Sequence, residues 1–348
     1  MPRRVAVLTP FAPPSVRGNA ITVQRIADGL RARGTEVRVW DLSVMPVARI
    51  EAEVEHYAPT VVHGFHAYRV GPVALRLARR MEVPLVVTIT GTDGNHDLFD
   101  PERALIVRRV LEAAAAVVVF HHSIGERIAA VLPDVRGRLV VVPQAARLAG
   151  TAPFDLAARW PLPPGRTLFA FPAGIRMVKR PEFPLRPLER LAARMPDIRL
   201  LYAGPVLDAD VGEALLRALD GRPWARHVGA VPHAEMASLL AQADVVLNCS
   251  ISEGGMANSV LEALAVGRAV LASDIEGNRA LIEHEVTGLL FSDEEDFEAA
   301  AERLARDGAL RARLGAAGRG RVQALYPPSR EIDGYLAVYR RHEPVTSA

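Results

Sequence analysis

All but one of the 42 basic residues in this chain are arginine, and the exception is Lys179. Coding bias explains an excess of arginine. A position that escapes the bias is a candidate for a place where a compact ammonium matters. Lys179 lies in Phe171-Pro-Ala-Gly-Ile-Arg-Met-Val-Lys-Arg-Pro, three residues after Arg176 and close behind Gly174. The block follows an apolar run that reads as a strand, and α/β sheets bind ligands at the C-terminal ends of their strands. Two cations there are either an anion grip or a solvated surface pair.

A second stretch, Asn248-Cys-Ser-Ile-Ser-Glu-Gly-Gly-Met-Ala-Asn-Ser-Val-Leu-Glu, leads from a buried strand through a glycine loop into a helix starting near Asn258. Backbone N–H groups in such a loop can approach a phosphate, and the helix N-terminus adds partial positive charge. Glu262, about one turn into that helix, could accept ribose hydroxyls. The plainer alternative is a turn followed by an exposed helix acid.

The stretch from Glu253 resembles the donor-site signature of GT-B retaining glycosyltransferases of family 4. There two glutamates with seven residues between them precede an Ala-rich helix end and Gly-x-Pro/Ala-Val, here Gly267-Arg-Ala-Val. Val228-Gly-Ala-Val231, Ala243-Asp-Val-Val-Leu, Ser273-Asp-Ile-Glu-Gly-Asn and Glu285-Val-Thr-Gly-Leu-Leu-Phe follow the same pattern. The blocks Thr90-Gly-Thr-Asp and Arg176-Met-Val-Lys point within the family to glycosyltransferase 1 domain-containing proteins and selenosugar synthase-like enzymes. The resemblance implies that Arg176 and Lys179 hold a donor diphosphate and that Glu262 binds its ribose. It also implies that Glu253, Gly254, Gly255 and Met256 line the sugar pocket beside Gly174, Val231, Asn258 and Ser259. Here eight residues, not seven, separate Glu253 from Glu262, so strict counting puts the first acid position on Gly254. One inserted glycine, with Glu253 still reaching the sugar, is the preferred explanation, because a loop absorbs one residue cheaply.

The N-terminal half offers weaker signals. Phe11-Ala-Pro-Pro-Ser-Val-Arg-Gly-Asn follows the first strand, and the resemblance puts Gly18 and Asn19 under the donor phosphates. Thr88-Ile-Thr-Gly-Thr-Asp ends another strand, so Thr90, Gly91 and Thr92 are acceptor-side candidates. Many family members carry a histidine where Thr90 stands. Asp93 is a candidate for binding or activating an acceptor, with helix capping as its alternative. His63 and His66 flank a strand end, so one of them, with His66 as the candidate, can line a cleft. No histidine shows metal-ligand spacing and no Gly-x-Ser-x-Gly elbow occurs.

The elements that must position these residues are legible as alternation. Val5–Leu8, Val37–Trp40, Val61–His63, Leu85–Ile89, Val117–Phe120 and Leu139–Val142 are continuous apolar runs of the kind buried on both faces of a parallel sheet. Amphipathic segments separate them. After a Pro/Gly-rich stretch ending near 166 the alternation restarts, with Leu168–Phe171, Arg199–Ala203, Val245–Asn248, Ala269–Ala272 and Gly288–Phe291 as strands. We therefore expect an α/β protein with two doubly wound Rossmann-like domains facing across a cleft, and the resemblance implies that this is the GT-B class. The resemblance implies an acceptor-side domain over 1–165 and a donor-binding domain over 166–327, with a helix near 328–342 crossing back to the first.

With 348 residues, roughly 150 per domain, the chain has room for two cores. A net charge of +2 with dispersed charges argues against a nucleic-acid partner, and no 18-residue apolar stretch suggests an integral membrane segment. One cysteine, Cys249, cannot form an internal disulfide or a multi-cysteine metal site. Together with these bounds, the resemblance implies a cytoplasmic, retaining, metal-independent transferase with no cofactor, using a nucleotide sugar (UDP-sugar favoured) and a small-molecule or glycan acceptor. The alternatives are a nucleotide-sugar 2-epimerase, a non-catalytic nucleotide-sugar binder and, last, an NAD-dependent oxidoreductase.

Overall fold

The computed structural model describes residues 3–15, 17–146, 148, 150 and 152–342. They form two compact units, one of residues 1–145 with 328–348 and one of residues 146–327. The proline-rich segment before residue 166, assigned by sequence to the first domain, groups with the second unit.

In the first unit β1 (Arg4–Thr9), α1 (Gly18–Ala32), β2 (Glu36–Asp41), α2 (Val47–Tyr57), β3 (Val61–Phe65), α3 (Gly71–Arg80), β4 (Leu85–Thr88), α4 (Ala104–Ala113), β5 (Ala116–Val119), α5 (His122–Val131) and β6 (Leu139–Val141) alternate. The sheet is parallel, in the order β2-β1-β3-β4-β5-β6. Helices cover both faces, which is why its central strands are apolar throughout: every residue of β3, β4 and β5 is buried.

The second unit begins with α6 (Leu156–Arg159) and β7 (Thr167–Pro172). It continues through α7 (Leu185–Arg194), β8 (Ile198–Ala203), α8 (Ala209–Leu219), β9 (Ala225–His227), α9 (His233–Gln242), β10 (Val245–Asn248), α10 (Asn258–Ala265), β11 (Ala269–Ser273), α11 (Glu276–Arg279), β12 (Leu289–Phe291), α12 (Glu294–Arg306) and α13 (Gly308–Leu325). Its sheet is also parallel, ordered β12-β11-β10-β7-β8-β9. The strand order reverses between β1 and β3 in one sheet and between β7 and β10 in the other. Loops leaving the strands at such a switch point diverge and open a crevice.

The last helix, α14 (Pro328–Arg341), returns to the first unit. Ile332, Tyr335, Leu336, Val338 and Tyr339 join Val5, Val7, Val23, Ile26 and Phe65 in one apolar cluster. Arg25 donates from Nε and Nη2 to Glu331, both at 2.8 Å, in a buried bidentate pair between α1 and α14.

Candidate active site

In the second unit the chain leaving β7 and the chain leaving β10 meet at the switch point. The Ile251 N–H donates to the Val178 carbonyl at 3.0 Å, tying the two loops. Arg176 precedes a single 3₁₀ turn, Met177–Lys179, that brings both cations onto one short bend. Arg176 is exposed, whereas the Lys179 side chain is only 13% exposed and forms an ion pair with Glu253. Gly174 packs closely here: a Cβ on it would lie 2.5 Å from Leu207 Cδ1, so that side chain would have to shift.

Glu253 is the centre of a polar network. Its Oε1 accepts from Lys179 Nζ, from Ser250 Oγ at 2.7 Å and from Asn248 Nδ2 at 3.1 Å. Asn248 Oδ1 accepts from the Ser250 N–H and from Asn278 Nδ2, each at 3.2 Å, and Ser273 Oγ donates to the Ser250 carbonyl at 2.6 Å. Burial alone would raise the Glu253 carboxyl. The Lys179 charge and the hydrogen bonds from Lys179, Ser250 and Asn248 outweigh it and hold the group below the usual carboxylate range. Gly277 allows this approach, since a Cβ there would meet the Gly255 carbonyl oxygen at 2.4 Å and Glu253 Cβ at 2.7 Å. Asn248, Ser250, Ser273 and Asn278 carry no role in the sequence reading. Ser273, Gly277 and Asn278 lie inside a block whose pattern is recognisable but whose contacts are not.

Gly255 and Met256 are buried and Gly254 is half-buried in the loop before α10. Ala257, the cap residue of that helix, provides no side-chain hydrogen bond to the first turn, which leaves that end suited to an anion. Ser259 Oγ sits 3.5 Å from Asn248 Nδ2, and Asn258 opens the helix beside it. Glu262 is buried, not an exposed helix acid, and its Oε1 accepts from His233 Nε2 at 2.8 Å. Val231, just before α9, is buried. Cys249 is fully buried, and burial pushes its thiol well above the usual range, so it is no nucleophile.

An Asp-x-Asp triplet, a pattern that can hold a metal in other transferases, lies at Asp208-Ala209-Asp210. Asp208 serves there as the cap of α8, accepting from the Val211 N–H. Among the described residues no three His, Cys, Asp or Glu side chains converge as a metal site.

In the first unit Asn19, at the start of α1, donates from Nδ2 to Thr90 Oγ1 at 3.2 Å, joining the loops after β1 and β4. Gly18 is exposed beside it. Asp93 is fully buried. Its Oδ1 accepts from the N–H groups of Thr90 at 3.0 Å and Gly91 at 2.8 Å, and its Oδ2 accepts from the Ala67 N–H at 2.8 Å. The carboxylate turns back to bind the backbone of two strand-end loops, and the cap position of the turn that follows is Thr92, not Asp93. His66 is 2% exposed, has a backbone φ of 96° and sets Nε2 2.9 Å from Thr92 Oγ1. The Arg69 N–H donates to its Nδ1 at 3.3 Å. A left-handed backbone at a non-glycine residue is strain of the kind that gathers at functional sites. His63 belongs to the core instead, bonded to Tyr339 Oη at 2.7 Å and Thr88 Oγ1 at 2.8 Å.

Residues 4–149 match the family Glycosyltransferase Family 4, and residues 166–307 match Glycosyl transferases group 1. The chain belongs to these glycosyltransferases. This glycosyltransferase is 27% identical over 324 residues to Glycosyltransferase 1 domain-containing protein 1 of Xenopus tropicalis, across 91% of this chain and 92% of that protein. It is 28% identical over 326 residues to D-inositol 3-phosphate glycosyltransferase of a Nocardioides species, across 85% of this chain and 70% of that protein. Among solved structures it is similar to sucrose-phosphate synthase from Thermosynechococcus elongatus, with a TM-score of 0.83, 21% identity and coverage of 97% and 98%. Anabaena HepE in complex with UDP-glucose gives a TM-score of 0.76 at 15% identity, covering 96% and 99%. The two Rossmann-like sheets of the glycosyltransferase are those of the GT-B class. Among its described residues no helix is long and apolar enough to cross a membrane.

Proposed function

We propose that this glycosyltransferase moves a sugar from a nucleoside-diphosphate sugar, a UDP-sugar by preference, to a small-molecule or glycan acceptor in the cytoplasm, with retention and without a metal. The observation that carries the proposal is the site at the β7/β10 switch point. The lone lysine, a neighbouring arginine and an uncapped helix start lie within two loops, with a buried carboxylate one turn further on. That set fits a diphosphate flanked by a ribose. Lys179 and Arg176 stabilise charge as the sugar C1–oxygen bond to the diphosphate breaks. The acceptor bonds to C1 on the same face, and its proton passes to an oxygen of the departing phosphate. No protein nucleophile is then needed, and the chain contributes positioning and electrostatics.

Glu253 takes a different part from the one its place in the motif implies. Its charge is committed to Lys179, so we assign it to holding that ammonium until a diphosphate replaces it. Asp93 is assigned to fixing the loops that carry Thr90, Gly91 and His66. The HepE complex with UDP-glucose supports UDP-glucose as the first donor to try.

The test is isothermal titration of UDP, GDP and ADP, followed by turnover of the matching sugar nucleotide with and without acceptors. Wild type should bind UDP, and Lys179→Ala should weaken binding at least tenfold, as removal of a charged hydrogen bond does. Equal binding by the variant would remove Lys179 from the site. Conversion of donor to an epimer without acceptor would replace transfer with epimerisation.

A further inference from the structure

Glu262 does not stand alone in the donor site. His233 Nε2 lies 2.8 Å from its Oε1, and the two side chains are only 18% and 12% exposed. We propose that His233 is the positioning residue that aims Glu262 at the donor ribose. This rests on the reading of Glu262 as the acid that accepts ribose hydroxyls.

A glutamate side chain turns about three single bonds, and α10 spans only Asn258–Ala265. A carboxylate held at one oxygen has its other oxygen oriented as well. Among the described residues Glu262 Oε2 has no hydrogen-bond partner, so the group is half committed and half available. The anchor is itself rigid. His233 is the first residue of α9, next to Pro232, whose ring fixes the backbone entering the helix. The loop before it is pinned at two points, by His227 Nε2 on the Gly204 carbonyl and by the Gly204 N–H on the Gly229 carbonyl, each at 2.8 Å. The contact does not serve α9, whose first turn has no side-chain cap. Low exposure strengthens the bond relative to one in water and makes its geometry matter. The imidazole therefore acts on the ribose through Glu262, and it discriminates ribose from sugars lacking the hydroxyls.

The experiment compares UDP with 2′-deoxy-UDP and 3′-deoxy-UDP by titration on wild type, Glu262→Ala, His233→Ala and His233→Gln. Wild type should prefer UDP, and Glu262→Ala should abolish the preference. His233→Ala should weaken UDP about tenfold while leaving the deoxy compounds nearly unchanged, so that the preference collapses. His233→Gln, which keeps an N–H donor, should recover part of it. In turnover the alanine variant should raise the donor KM with little effect on kcat. Full hydroxyl preference in His233→Ala, with none in Glu262→Ala, overturns the positioning role and leaves the donor site standing. A preference that survives in Glu262→Ala, or wild type that does not bind UDP, overturns the underlying reading. Equal weakening of all three nucleotides by His233→Ala marks a general structural effect and also overturns the proposal. Melting curves on each variant show whether it is folded.

Discussion

His63 is a histidine that burial keeps from acting as one. Its pKa is lowered from 6.5 to about 3, while both ring nitrogens are bonded inside the core. The unfolded chain takes up a proton near pH 6.5 and the folded chain does not. Stability is therefore full above that pH and falls as the pH drops towards 3, by about 1.4 kcal/mol per unit from this one ring. His63→Gln, which keeps a donor and an acceptor but does not titrate, should flatten that component. Chemical denaturation at pH 7, 6 and 5 measures it, and parallel slopes in the two proteins would refute the assignment. Lys179 has a complementary test in its partner. Glu253→Gln removes the anion that occupies the ammonium, so UDP should bind several-fold tighter than to wild type. Weaker binding would mean that Glu253 organises the lysine for the ligand instead of competing with it. These roles differ in how far the sequence reveals them. Lys179 is conspicuous by rarity and Glu262 by its place after a glycine loop. The partner of Lys179 lies 74 residues away and that of Glu262 lies 29 away. Such contacts are set by which strands neighbour each other, and no local pattern carries that information. The backbone contacts of Asp93 are hidden for a related reason: at a strand end an acid facing a ligand and one folded back onto the backbone look alike in sequence.

At the scale of elements, α14 is held by more than apolar contact. Glu331→Ala would leave the Arg25 guanidinium buried without its bidentate partner, at a cost of about 3–5 kcal/mol. For a unit of this size that is roughly 2–4 °C of melting temperature per kcal/mol. Replacing both, Arg25→Met with Glu331→Leu, should recover most of the loss. A double variant as unstable as the single one would show that the pair itself is indispensable. Most strands were legible because a doubly covered parallel strand is an unbroken apolar run. The exceptions follow from the same rule. β9 is a three-residue edge strand whose burial is partial, so it has no such run. α2 buries only Ile50, Val54 and Tyr57, a narrow stripe within a charged segment. α5 starts with the paired histidines His121 and His122, where His121 caps the helix by accepting from the Ser123 N–H. That capping role is outside the usual Ser, Thr, Asp and Asn signals.

For the molecule as a whole, the two units differ in how they are cut from the chain. Residues 146–327 are contiguous, whereas the first unit needs both ends of the sequence. A fragment of residues 146–327 should fold alone and bind UDP with an affinity near that of the full chain. A fragment ending at 327 should lose the first unit, because Val142 and Phe65 would be stripped of Ile332, Tyr335 and Tyr339. A 146–327 fragment that fails to fold, or a fragment ending at 327 whose first unit still melts cooperatively, would contradict this division. The solitary lysine has one further consequence. A lysine-specific protease has a single target in this chain, between Lys179 and Arg180, and an amine-directed label has one side chain to find. Nature has thus left a reporter at the proposed phosphate loop. One cleavage yielding two fragments, or a label on Lys179 told apart from that on the α-amino group, reads out whether that ammonium is engaged, with no background from other side chains.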